Sequence, residues 1–398
     1  MSTGDLPRDV RKPWWGVVGL FLVHGLVVSS WISRIPVVQT RLQLSNGVLG
    51  LTLLSSAIGA VLTIPAVGYL VSRFGSKRVC TLSSILFCLA VVLMGLAFNA
   101  ATLAGALFVF GSLAAAMDVS MNAQGVEVEK GMGRPTMSRF HGMFSLGAMA
   151  GAALGGAVAA KGVAVSTHFA FSSLLNLLAL LVAVPLLRAD VSAAVERQHR
   201  LPFNKVPKVL LALSAIGFCI LLAEGAMADW TAVYLRQNLA AGPGLAAAGY
   251  SVFSGAMAGF RFLGDFITER FGPLRTVRGG CLVAAAGLVY ALAARSPEWS
   301  LPGFAATGAG LSVIIPLVFG SGGKVPSVSP GPGIATVTGI GYVGFIVGPP
   351  SIGFVSQIVT LRCALGIVVA CCLVAALLAG SMKELDQESI QAAGTAVA

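Results

Sequence analysis

Asp118 and Asn122 stand four residues apart in an otherwise apolar stretch, so a helix would carry both on one face. A carboxylate in that setting is a natural proton carrier. Burial favours its neutral form, and exposure to water on one side at a time lets it load and release a proton. A hydrogen bond locking the helix to a neighbour is the equal alternative. Glu129 lies seven residues beyond Asn122, at the mouth of the same face. Glu224 sits inside another apolar stretch, with Asp229, Trp230 and Tyr234 further along it. Glu224 is a candidate for proton or substrate binding; Asp229 is a second, with solvation near an interface as its alternative. His24 and Trp31, seven residues apart, share nearly one helical face, and Arg34 follows where its long side chain can reach an interface. Asn176 and Tyr342 add hydrogen-bonding groups. Arg261 and Asp265, four apart, are spaced to form an ion pair within one helix. Inside a bilayer each such group is costly unless it is paired or hydrated.

Other chemistries find little material. The seven cysteines lie in or beside apolar runs without a Cys-x-x-Cys pair, and the four histidines, at 24, 141, 168 and 199, are scattered. Neither a metal site nor a bound cofactor is expected from them. No catalytic constellation for a membrane-embedded enzyme emerges. The glycine-rich loop from Gly320 to Gly333 reads as a flexible connector; it lacks the spacing of a phosphate-binding loop, so ATP drive is not expected.

The elements that must position these residues are membrane helices. The chain has 398 residues, 56% hydrophobic and 10% charged, where a soluble chain carries about 25% charge. A bilayer core of about 30 Å needs about 20 apolar residues per helix. Twelve runs fit, near 14–38, 48–71, 79–98, 102–126, 139–160, 166–187, 209–235, 246–268, 274–294, 299–320, 333–357 and 361–382. His24 falls ten residues into the first, about 15 Å deep. Of the 26 lysines and arginines, 19 lie on one side of the spans, 5 on the other, and Arg34 and Arg261 inside them. That bias places both termini in the cytoplasm. It also accounts for the net charge of +11 without a nucleic-acid role. The first run is too long for a cleaved signal.

A charged connector at 188–208 divides the chain into six spans at 1–187 and six at 209–382, with a tail at 383–398. Arg73-Phe74-Gly75 after the second span reappears as Arg270-Phe271-Gly272 after the eighth. Gly147, Gly151 and Gly156 in span five answer Gly344, Gly348 and Gly353 in span eleven, and Trp31 and Trp230 lie near the outer ends of spans one and seven. The fold expected is an all-α polytopic membrane protein, twelve transmembrane helices in two six-helix pseudo-symmetric halves.

These residues resemble the major facilitator superfamily of secondary transporters. The loop after span two is similar to its signature, G-x-x-x-D-R-x-G-R-R/K, through Gly68, Arg73, Gly75, Lys77 and Arg78, with Ser72 in the acidic place. The resemblance implies a cytoplasmic gate. Its members would be Arg73, Gly75, Lys77 and Arg78 with Arg261, Asp265, Glu269 and Arg270, and with Arg139 beside His141 opening span five. Span five resembles an antiporter signature with Ala152 where proline is usual, although close helix packing explains the same glycines. An arginine associated with drug efflux is replaced by an apolar stretch near Leu107.

A narrower resemblance runs through Trp31–Pro36, Met117–Gly125, Phe140–Gly147 and Leu222–Trp230, to the bacterial YbjJ/MosC-like branch. MosC is tied to rhizopine, which implies a polyhydroxylated or amino-cyclitol solute. The expected function is a secondary active transporter of a small polar organic solute, driven by protons or another cation. The proton-coupling candidates are Asp118, Glu224 and Asp229; the substrate-binding candidates are His24, Trp31, Arg34, Asn122, Asn176, Trp230, Tyr234 and Tyr342. Proton-antiport efflux and a non-transporting sensor or scaffold are the alternatives. The resemblance implies a monomer in the inner membrane of a bacterium, with the bilayer and a small-molecule substrate as its partners.

Overall fold

The computed structural model describes residues 8–133, 136–189, 206–325 and 328–383. The connector at 188–208 and the tail at 383–398 therefore lie almost wholly outside the described residues. The described residues form sixteen α-helices in succession and contain no strand. The first half holds α1 (Arg8–Ile32), α2 (Ile35–Arg41), α3 (Asn46–Phe74), α4 (Ser76–Leu96), α5 (Ala100–Met132), α6 (Met137–Ala160) and α7 (Val165–Ala183). The second holds α8 (Lys208–Asn238), α9 (Pro243–Phe262), α10 (Gly264–Phe271), α11 (Pro273–Ala293) and α12 (Pro297–Leu311). It continues with α13 (Ile314–Gly322), α14 (Pro330–Ile358), α15 (Leu361–Ala364) and α16 (Gly366–Leu378).

Eleven of these helical stretches are long and apolar enough to cross a membrane. The twelfth crossing is α9 with α10, the expected eighth span. It is rich in glycine, alanine and serine, and it ends in Asp265, Glu269 and Arg270. Proline and its neighbours set the breaks. Pro36 brings no N–H to the carbonyl of Ile32, and the chain turns at Ser33–Arg34 between α1 and α2. Pro316 likewise leaves the Ser312 carbonyl without its helical donor, at the junction of α12 and α13. By contrast α14 runs unbroken through Pro349 and Pro350. The connector expected at 320–333 is shorter in the structure, since α13 extends to Gly322 and α14 begins at Pro330.

The internal repeat shows in the backbone. Gly75 and Gly272, each after Arg-Phe, have φ of 87° and 77° and ψ of 151° and 160°. That region is closed to residues with a Cβ, so the two loops turn identically for the same reason. The glycines of α6 are close-packing residues. A Cβ at Gly147 would collide with the Leu22 carbonyl of α1, and one at Gly151 with Ser29. Facing the lipid, Leu62, Leu181, Ile358 and Leu377 are all more than half exposed, as apolar side chains are where hydrocarbon replaces water.

The halves meet along two seams, α6 on α9 and α3 on α14. We call the face carrying Arg73, Lys77 and Arg78 the basic face, and the other the opposite face.

Candidate functional site

A cavity of about 370 Å³ lies between the halves, walled by α1, α3 and α5 on one side and α8 and α14 on the other. Its polar lining is His24, Ser56, Asp118, Asp229 and Tyr342; Trp31, Phe110 and Phe345 supply aromatic surface. Among the described residues no lysine or arginine lines it. Asp118 is held by its own helix, since the Nδ2 of Asn122 donates to the Asp118 carboxylate at 3.1 Å and to its carbonyl at 2.8 Å. The spacing of four residues thus does what it allows, but it orients the carboxylate rather than tying α5 to a neighbour. Among the described residues no ion pair reaches Asp118 or Asp229.

His24 packs against Phe87 and Phe144, with ring centroids 5.1 and 5.4 Å away. Neither ring nitrogen has a protein hydrogen-bond partner, although the residue is only 6% exposed. A buried imidazole at the edge of a cavity with both nitrogens unengaged is a group waiting for water or a ligand. Tyr342 lies within electrostatic reach of both Asp118 and Glu224, one from each half.

Glu224 and Arg261 form a second constellation beside the cavity. Glu224 Oε2 lies 3.8 Å from an Arg261 guanidinium nitrogen. Arg261 Nη1 donates to Ser145 Oγ at 2.7 Å and to the His141 carbonyl at 3.3 Å, both on α6 in the other half. Its Nε donates at 3.2 Å to the Ser312 carbonyl, the one that Pro316 leaves free. The ion pair expected with Asp265 does not form. The chain breaks at Leu263 between the two residues, so Arg261 turns inward while Asp265 stays on exposed α10.

Several expected binding residues lie elsewhere. Trp230 and Tyr234 are fully buried, outside the cavity lining. The Tyr234 hydroxyl donates to the Leu292 carbonyl at 3.3 Å and its ring meets Phe304 edge-on, so it staples α8 to α11 and α12. Asn176 donates back to the Ser172 carbonyl of its own helix at 2.8 Å, and Ser172 meets Ser30 of α1. Arg34 does not reach an interface. It is 1% exposed and donates to the Val163 carbonyl between α6 and α7.

Among the described residues no ion pair links the expected gate residues across the two halves. Arg73 lies over the Phe74 ring at 5.7 Å, and Lys77 donates to the Leu187 carbonyl at 3.0 Å within its own half. Gly75 makes the turn, Arg78 is exposed, and Arg139 occupies the first turn of α6. Glu269 and Arg270 are exposed, and no ion pair reaches them among the described residues. Glu129 caps α6, its Oε2 accepting from the N–H groups of Thr136 and Met137 at 2.6 and 3.0 Å.

At the opposite face the halves are pinned by residues the sequence did not single out. Gln237 Nε2 donates to Gln39 Oε1 and to Asn46 Oδ1, each at 3.1 Å, and Gln357 donates to Ser45 Oγ at 2.8 Å. Their one signal was amide side chains clustered at span ends.

Twelve crossings in two repeated halves, with a mid-membrane cavity between them pinned shut at one face, define a secondary transporter. The family model for the Major Facilitator Superfamily matches residues 17–330. An uncharacterized MFS-type transporter of Yersinia pestis is 35% identical over 349 residues, covering 87% of this chain and 90% of that one. The membrane protein MosC of Rhizobium meliloti is 32% identical over 362 residues, covering 88% and 87%. The nucleoside transporter NupG shares the fold at a TM-score of 0.70 and 12% identity, over 93% of this chain and 98% of that one. The E. coli fucose:proton symporter FucP does so at 0.62 and 17%, over 94% and 98%. The chain belongs to the Major Facilitator Superfamily.

Proposed function

We propose that this transporter moves a small polar organic solute across the cytoplasmic membrane of a bacterium by proton-coupled alternating access, working as a monomer with both termini in the cytoplasm. The observation that carries the reading is the placing of Asp118 from one half and Asp229 from the other in the lining of a single cavity between them. Rocking of the halves, 1–187 against 209–382, would expose the pair to each side in turn, which is what a proton-linked carrier requires. A proton-coupled relative in fold, the fucose:proton symporter, is compatible with that drive. Glu224, bound to Arg261, is better suited to organising the seam than to carrying the proton. Arg73, Lys77, Arg78, Glu269 and Arg270 would pair when the basic face closes.

The test is reconstitution into liposomes with a proton gradient. Wild type accumulates the solute against its concentration gradient. Asp118→Asn and Asp229→Asn lose accumulation but keep solute exchange at saturating solute. Undiminished uphill transport in both variants would remove the coupling role.

A further inference from the structure

We propose that the solute taken by the central cavity is a small organic cation, an amine or quaternary ammonium on a compact apolar body, held between Asp118 and Asp229. This rests on the transporter reading and names the chemistry of its substrate.

The charge of the wall is the first argument. Its carboxylates, Asp118 and Asp229, meet no lysine or arginine in the lining among the described residues. Arg261, the basic group at the nearby seam, is engaged by Glu224, Ser145, His141 and Ser312. A carboxylate away from bulk water takes up a proton or needs a partner, and among the described residues the protein gives Asp118 only an Asn122 amide and Asp229 none. A cationic solute completes both. An anionic solute would meet two like charges.

Acceptors also outnumber donors. Pro349 and Pro350 bring no N–H, so the carbonyls of Phe345 and Ile346, four residues earlier in α14, lack their usual helical donors. Both residues line the cavity. Hydroxyls of Ser56 and Tyr342, and the imidazole of His24 with both nitrogens unengaged, complete the polar set. The remainder is aliphatic and aromatic, and Trp31, Phe110, Tyr342 and Phe345 offer rings to a cation. A densely hydroxylated solute would leave many of its groups unpaired on such a wall, whereas one charged nitrogen on an apolar frame would not. About 370 Å³ suits a small molecule.

The full-length protein in detergent is titrated with a panel of primary to quaternary alkylamines. Each is set against its uncharged analogue and its carboxylate analogue of equal size. Thermal stabilisation reads binding by mass action. The expected result is stabilisation by amines alone. Asp118→Asn and Asp229→Asn should each weaken it by roughly thirtyfold or more, the loss for removing one partner of a desolvated charge pair. Glu298→Gln, exposed at the start of α12, should not change it. Equal binding of uncharged or carboxylate analogues, binding unchanged in both Asn variants, or no binding by any amine overturns the proposal. Should an Asn variant fail to fold, the wild-type comparison of amine with analogue decides alone. Counterflow of a cell metabolite extract in liposomes separates this from the transporter reading. Exchange of neutral metabolites but no amines removes the cation and keeps the transporter. Amine binding without any exchange keeps the site and removes transport.

Discussion

The seam of α6 with α9 and the seam of α3 with α14 join the same two halves by different chemistry. On the first, Arg261 is buried and reaches Glu224 on its own side and Ser145 and His141 across it. Ser251 Oγ adds a bond across it to the Met149 carbonyl at 2.9 Å. On the second, the bonds collect at the opposite face, where Gln357 reaches Ser45 and the neighbouring amides of Gln39, Asn46 and Gln237 meet. A buried charge is expensive to strand. Gln237 and Gln357 are exposed, and an exposed neutral amide trades its partner for water at small cost, while Gln39 is the buried member of the cluster. In the alternating cycle proposed above, the α6–α9 seam would resist separation and the opposite-face end of the α3–α14 seam would release more easily.

The largest expected effect breaks the first seam. Arg261→Met strands Glu224 and should cost about 3–5 kcal/mol of stability, seen as a lower melting temperature in detergent. Adding Glu224→Leu should restore most of that loss. Equal melting of the single and double variants would show that the pair does not hold the seam.

Next come the glycines, which separate fold from access. A Cβ on Gly50 would stand 2.7 Å from the Pro349 carbonyl oxygen, and one on Gly353 2.6 Å from that of Asn46. Gly50→Ala should disfavour closure of the opposite face by about 1–3 kcal/mol, the usual cost of overpacking. Cross-linking of cysteines placed at 46 and 237 should then fall while melting holds. Gly147→Ala, on the α1–α6 contact inside one half, should lower melting by a similar amount and leave cross-linking unchanged. The reverse pattern would reassign the two contacts.

Gln237→Leu removes the hub of the amide cluster. A loss of about 0.5–1.5 kcal/mol moves the closed-to-open ratio roughly two- to twelvefold. Labelling of the cavity from the opposite face should rise with no change in melting. The smallest effect belongs to the exposed Lys130–Glu127 pair on α5, 2.9 Å apart and remote from both seams. Lys130→Ala should change stability by about 0.3 kcal/mol; a loss as large as that of Arg261→Met would mean that surface charge matters as much as the buried seam.

Much of the fold was legible before any coordinates. Apolar runs of membrane length mark the crossings, and the Arg-Phe-Gly turns at Gly75 and Gly272 mark the repeat. The cavity residues His24, Trp31, Asp118, Asp229 and Tyr342 were legible because polar or amphipathic groups in hydrocarbon demand a reason. Tyr234 and Asn176 met the same criterion, yet they answer it with hydrogen bonds inside one half, and Trp230 is packed away from the cavity with its indole N–H unpartnered among the described residues. Arg261 met its partner on α8 rather than four residues along its own chain, because the helix breaks at Leu263.

The sequence by itself determined how many times the chain crosses, where it turns, and which polar groups must be satisfied within the bilayer. Those are properties of residue type and local spacing, and they follow from the cost of exposing backbone and charge to hydrocarbon. Only the tertiary structure decided which of those groups face the cavity, that Arg261 belongs to the α6–α9 seam, and that Gln39, Asn46 and Gln237 hold the opposite face. In water an amphipathic stripe announces which side of a helix is buried. In a membrane the lipid-facing and protein-facing sides are both apolar, so a helix sequence does not say which way it faces until its neighbours are in place.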